Sequence, residues 1–298
     1  MFWASFLIIA IIIACIILSF VRAFLMTVLF VVANIAVFII LLASSSFMPY
    51  VDYSPSFAEL GLNPAYIAVG GSLYTLITSM FMHLNMVHLA FNMMWFAVIG
   101  LMLEERTGKL VFGSVFFITG IIGGITFAIA HNLTTTDPAI AIGASGALYG
   151  VFGSFVRLYP FEKMRFYFFE LPAYIWFLVF LGMDMLLGIF QPFYNLFGPI
   201  AYSAHIGGLA SGFLLVPYIA KLSVKPMFRR EYKTLEPLAK TQYLREILDN
   251  IGKEDDPTLQ GNWLDEFLKH AECPRCGSRL SRKMGKVICE KDGFALKF

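Results

Sequence analysis

The chain has 298 residues, 58% of them hydrophobic and 14% charged, a balance that excludes an ordinary soluble domain and points to a polytopic membrane protein. A formal net charge of +2 gives no reason to expect a nucleic-acid partner. Residues 1–220 hold six of the 22 Lys and Arg and the remaining residues hold sixteen, so the chain divides into a membrane part and a mildly basic soluble tail.

Apolar runs of about 20 residues, the length a bilayer requires, predict spans at 2–20, 24–44, 84–103, 110–130, 145–160, 172–190 and 201–220. The first run lacks a basic leading segment and is longer than a signal-peptide core, so it reads as a retained span. The fifth is short and glycine-rich, which suits a helix buried among others. Placing the tail in the cytoplasm puts Arg22, Arg106, Lys109, Arg157, Lys163 and Arg165 on one side. The opposite loops, 45–75, 131–144 and 191–200, carry Asp52, Glu59 and Asp137 but no Lys or Arg. That asymmetry fixes the predicted orientation.

Polar groups within spans are costly and tend to face a bundle interior or a cavity. They gather in three stretches: MFMHLNMVHLAFNMMWF (His83, His88, Asn92), IGASGALYG (Ser145, Tyr149) and AHIGGLASG (His205). His88 and Asn92 share a helical face, whereas His83 falls where the loop meets the span. The orientation places His88, Ser145 and His205 in the outer halves of their spans, at similar height. A serine needs a neighbouring base to become a nucleophile at neutral pH. Ser145 and His205 supply those parts, and His88, Asn92 and the Ser145 backbone supply donors for a developing oxyanion. Gly208 and Gly212 follow His205 on its own face, and Gly146, Gly150 and Gly153 follow Ser145. Small residues of this kind let helix backbones approach closely. Tyr149, one turn after Ser145, is placed to stack on the imidazole.

Taken singly, each feature has a plainer reading. A serine in a Gly/Ala-rich span is a packing residue, a histidine a satisfied polar group, and a glycine stripe a helix contact. The soluble-hydrolase Gly-x-Ser-x-Gly turn needs a strand–turn–helix context that is absent, and Ala147 stands at its fifth position. Three such clusters at one depth are what point to chemistry.

These motifs, HLNMVHLAFN, GASGALYG and AHIGGLASG, make residues 24–220 resemble the rhomboid intramembrane serine proteases, and LEERTG (Glu104, Gly108) matches a further segment. The resemblance implies an all-α polytopic fold, a six-helix core with a Ser–His dyad. Ser145 would be the nucleophile and His205 the general base. His88 and Asn92 would form the oxyanion hole, with His83, Tyr149 and Gly143 in support. It implies cleavage of single-span membrane proteins near the outer face, without a cofactor. Two features depart from the pattern: the loop 45–75 lacks a Trp-Arg pair, and one extra helix, 1–22, precedes the core at 23–220. Asp184 lies in the helix the family uses for substrate access; a third-member role beside His205 is the weaker reading.

The tail divides into an amphipathic and linker segment, 221–272, and a zinc-ribbon-like module, 273–298. Cys273-x2-Cys276 and Cys289-x2-Asp292 have ribbon spacing, with Asp292 where a fourth Cys would stand and His270 as an alternative ligand. A structural zinc site and a decayed ribbon both remain open. The tail is also the place for a cytoplasmic partner. The competing function is a catalytically silent relative that binds client helices for quality control, although both dyad residues are kept. A transporter would need internally repeated spans, which are not seen. The expected location is the cell membrane.

Overall fold

The computed structural model describes residues 2–21, 24–45, 51–135, 137–166, 169–190, 201–223, 232–253, 257–283 and 286–297. The chain is mostly helical and forms two compact units, Met1–Ser223 and Val224–Phe298.

In the first unit, α1 (Trp3–Val21) and α2 (Met26–Ser44) are near-continuous apolar helices packed side by side. Phe6, Ile13, Phe20 and Ile39 point outward and stay exposed, as a lipid-facing surface requires. A 3₁₀ turn (Val51–Tyr53) and three short helices, α3 (Pro55–Leu60), α4 (Pro64–Ala68) and α5 (Thr75–Thr78), form the following loop. Next, α6 (Met86–Trp95) runs through a π-helical turn (Phe96–Gly100) into α7 (Leu101–Thr107). Gly108, at φ +81°, breaks the rod before α8 (Lys109–Thr134). Then come α9 (Ser145–Leu158), a hairpin of β1 (Lys163–Phe166) and β2 (Phe169–Pro172), α10 (Ala173–Phe190) and α11 (Tyr202–Ser223). Among the described residues, four stretches are long and apolar enough to cross a membrane, namely Trp3–Val21, Met26–Ser44, Met86–Thr134 and Tyr202–Lys221, and Ala173–Met183 is a shorter apolar helix. Each apolar run read from the sequence falls on a helix, with ends that differ by about one turn.

Two contacts lock the frame around the site. The buried Glu104 carboxylate accepts the Met26 and Thr27 backbone N–H groups at 2.7 Å each. It therefore caps the free amides at the start of α2 and meets the positive end of that helix. At the neighbouring end of α1, the Lys109 ammonium donates to the Ser19 carbonyl at 2.7 Å.

The centre of the unit is α9, which packs against α8 and α11. A Cβ on Gly208 would overlap the carbonyl oxygen of Gly146, and one on Gly212 the carbonyl oxygen of Gly150. On the α8 side, a Cβ on Gly123 would lie 2.8 Å from the Ala204 carbonyl oxygen of α11. Backbone-to-backbone packing of this kind gains dispersion contact where no side chain intervenes.

In the second unit, a 3₁₀ segment (Tyr232–Leu238), α12 (Gln242–Lys253) and α13 (Pro257–His270) precede a three-stranded antiparallel sheet, β3 (Leu280–Lys283), β4 (Lys286–Cys289) and β5 (Ala295–Lys297). The register pairs Leu280 with Cys289 and Ile288 with Ala295. Leu244 and Ile247 of α12, Leu264 and Phe267 of α13, and Leu280 and Val287 of the sheet share one core. That core crosses the 272/273 boundary drawn from the sequence, because the apolar faces of the helices are covered by the sheet.

Candidate active site

Ser145 is the first residue of α9, reached through a turn that only glycine accommodates easily. Gly143 has φ +127°, and its N–H donates to the Ser79 carbonyl at 2.9 Å. A Cβ at Gly143 would sit 3.0 Å from the His88 ring, so a side chain there would meet both backbone strain and the imidazole. The free N–H groups of the first turn and the positive end of the helix dipole surround Ser145.

The structure brings His205 of α11 to it: the Ser145 hydroxyl and His205 Nε2 lie 2.8 Å apart, a hydrogen bond between side chains 60 residues apart in sequence. The Tyr149 ring stacks on the imidazole with centroids 4.4 Å apart and planes 10° apart. Tyr202, not singled out from the sequence, meets the same imidazole edge-on at 6.2 Å. The ring is held between two aromatics and has little freedom to turn.

His88 and Asn92 stand on α6 as the four-residue spacing predicts. Asn85 caps this helix, its side-chain oxygen accepting the His88 N–H at 2.8 Å. The sequence reading missed that cap, although an Asn three residues before His88 carries its signal. The Leu84 N–H reaches His88 Nδ1 at 3.5 Å, which leaves Nε2 to carry the ring hydrogen and face Gly143. Asn92 Nδ2 donates one hydrogen to the His88 carbonyl at 2.9 Å and keeps a second. His83 is fully buried, its ring 5.0 Å from that of His88 and edge-on to it, so it braces His88 from behind. Asp184 lies on α10, and its side chain is outside the described residues.

Ser145, His205, His88, Asn92 and Tyr149 line one cavity of about 690 Å³. Phe180 and Met183 of α10 form one wall. That helix leans on the rest through Phe180, whose ring meets Trp95 at 4.1 Å and Phe152 at 5.1 Å. Ala139 to Ile142 form another wall, tied back by the Leu62–Ala141 bridge.

A second constellation lies in the tail. The ligand atoms of Cys273, Cys276, Cys289 and Asp292 all lie within 4.8 Å of one another. Two like turns present them. The Gly277 N–H bonds to the Cys273 carbonyl at 2.9 Å, and the Gly293 N–H to the Cys289 carbonyl at 3.1 Å, with both glycines at φ near +70°. Asp292 thus occupies the place Cys276 has in the first turn. The Phe294 N–H holds the Asp292 carboxyl down at about 2, while burial pushes the Cys289 thiol up to about 11. His270, the alternative ligand, turns instead to Glu266, with Nε2 3.2 Å from the carboxylate.

Comparison with known proteins places these features in context. Residues 70–222 match the family described as Rhomboid domain. RHOMBOID-like protein 6, mitochondrial, of Arabidopsis thaliana is 31% identical over 149 residues, 50% of this chain and 44% of that protein. Rhomboid protein 1, mitochondrial, of Saccharomyces cerevisiae is 31% identical over 165 residues, 53% of this chain and 45% of that one. Rhomboid protease GlpG of Haemophilus influenzae is 28% identical over 152 residues, 51% of this chain and 72% of that protein. The chain therefore spans less than half the length of the first two.

Proposed function

This chain belongs to the rhomboid family, and on that premise we propose that it is an intramembrane serine endopeptidase that cleaves single-span membrane proteins within or next to their spans. The observation that carries the reading is the 2.8 Å contact between the Ser145 hydroxyl and His205 Nε2 inside a cavity that also holds His88 and Asn92. In this mechanism the Ser145 oxygen attacks the scissile carbonyl carbon as His205 Nε2 takes its proton. The carbonyl oxygen becomes an oxyanion that accepts from the Ser145 N–H, His88 Nε2–H and the second Asn92 amide hydrogen, each donor worth about 3 kcal/mol in the transition state. His205 then returns the proton to the leaving amine, and water repeats the sequence on the acyl-enzyme. Ser145, His205, His88 and Asn92 do the chemistry; His83, Tyr149 and Gly143 hold them in place. No cofactor enters any step.

Depth supports the same reading. With 14 residues, α9 is about 21 Å long against a hydrocarbon core of about 30 Å. Its N-terminal serine is therefore recessed into the membrane, reached through the cavity. We assign the six-helix core to α2, the α6–α7 rod, α8, α9, α10 and α11 (residues 23–220), with α1 as an added span. Val224–Phe298 would then lie in the cytoplasm, as the Lys and Arg distribution requires.

In the tail, three thiolates and one carboxylate suit a structural Zn²⁺, which would be held by Cys273, Cys276, Cys289 and Asp292 and would cross-link the two turns.

A fluorophosphonate probe tests the dyad. Covalent labelling at Ser145, lost in His205→Ala, is expected. A folded protein that takes no label would instead be a rhomboid-like binder of client helices.

A further inference from the structure

We infer that Asp52 is a specificity residue, whose carboxylate selects substrates carrying Lys or Arg on the outer flank of the segment seated over Ser145. The identity of the occupant rests on the protease reading above.

The loops on the outer side contain Asp52, Glu59 and Asp137 but no Lys or Arg. These acids are not equivalent. Glu59 is engaged, accepting from the Ser5 hydroxyl at 2.5 Å and the Phe2 N–H at 3.1 Å. Asp52 is exposed and lines the cavity that reaches Ser145. It is the one carboxylate among the described lining residues, and no Lys or Arg joins it there. No side-chain or backbone donor bonds to its carboxylate among the described residues.

Its position is set by the frame. Val51 is fully buried, and its N–H donates to the Leu84 carbonyl at 3.3 Å, beside the start of α6. The Ser54 N–H closes the turn on the Val51 carbonyl at 2.9 Å, and the Ser54 and Ser44 hydroxyls, 2.6 Å apart, tie the turn to α2. Asp52 is thus anchored beside the start of α6, the helix that carries His88, and no Lys or Arg shares the cavity lining with it.

A chain that fills the cavity covers this carboxylate. Covering it without a partner removes water from a charge and disfavours the complex, whereas a substrate ammonium or guanidinium restores the lost interaction. Apolar walls formed by Phe57, Leu84, Phe91 and Ile140 lower the local dielectric and lengthen the reach of the charge. An acidic flank is repelled by the same group, so discrimination acts in both directions.

The test uses three reporter proteins with one common span, differing only in two Lys, two Gln or two Glu on the outer flank. Binding of each to the Ser145→Ala full chain is measured by energy transfer in zwitterionic liposomes at about 50 mM salt, where the Debye length is longer than about 10 Å. The Lys reporter should bind about threefold tighter than the Gln reporter and about tenfold tighter than the Glu reporter. Asp52→Asn should bring the three together, Asp52→Lys should reverse the order, and about 0.5 M salt should compress it. Equal binding of the three, no binding, or an order unchanged in Asp52→Asn would overturn the inference. Cleavage by the unmodified chain is scored separately: a Lys-preferring order without cleavage rejects the protease reading and leaves the role of Asp52 standing.

Discussion

A Cβ on Gly208 would overlap the carbonyl oxygen of Gly146, so α11 and α9 touch through bare backbone three residues after His205 and one after Ser145. The neighbour is main chain, which cannot swing aside as a side-chain tip does. Gly208→Ala should push the helices apart, destabilise the fold by about 1–3 kcal/mol and lower cleavage by about 100-fold through loss of the Ser145–His205 alignment. Thermal unfolding in detergent and fluorophosphonate labelling measure the two effects. Wild-type labelling in Gly208→Ala would remove the glycine contact from the account.

Tyr149 should act through His205. Tyr149→Ala takes away the parallel stack and frees the imidazole to turn, so kcat should fall about tenfold, the range of a stacking contribution, with KM nearly unchanged. Tyr149→Phe keeps the ring face and should stay much closer to the wild type. Steady-state kinetics on one reporter decide it; equal losses in both variants would argue that the ring face is not what matters.

Acid should loosen α1. The Ser5 hydroxyl bonded to Glu59 holds this carboxyl below the usual glutamate range. A depressed folded-state value means the contribution is complete above the unfolded value, about 4.3, and disappears as pH falls through the folded one. Protection of the amides in the first turns of α1, measured against their intrinsic exchange rate at each pH, should therefore fall on acidification. Glu59→Gln should show the same low protection at neutral pH as well. Protection that stays constant with pH in the wild type would show that this tie does not hold the helix.

The tail should bind one Zn²⁺ per chain. Cys276→Ser should abolish stoichiometric zinc in the purified full chain, measured by elemental analysis. Asp292→Cys should retain it and tighten it, since a fourth thiolate completes the common tetrahedral set. His270→Ala should change nothing, because His270 faces Glu266. Zinc loss in His270→Ala would contradict the ligand set.

The order of spans was legible because lipid demands long apolar runs and every charge outside them is informative. That Ser145, His205, His88 and Asn92 would converge on one cavity was legible for a related reason: polar groups at matching depth have few structural uses in lipid. What held them was harder to read. The Ser79 carbonyl that fixes Gly143 is main chain, so its side chain advertises nothing. Tyr202 reaches His205 only once α11 is placed. Glu104 was visible only through the resemblance of LEERTG, and its two bonds to Met26 and Thr27 span more than 75 residues of sequence, a separation that local spacing does not reveal. In the tail, the spacing of four candidate ligands was visible, whereas the core shared between α12, α13 and the sheet needed their packing to be seen.

The central claim is tested most directly by reconstituting the full chain in liposomes with single-span reporters and mapping cut sites by mass spectrometry, alongside Ser145→Ala and His205→Ala. The account requires cuts within or next to the span by the wild type and none by either folded variant. Cleavage by Ser145→Ala at the wild-type rate would contradict it.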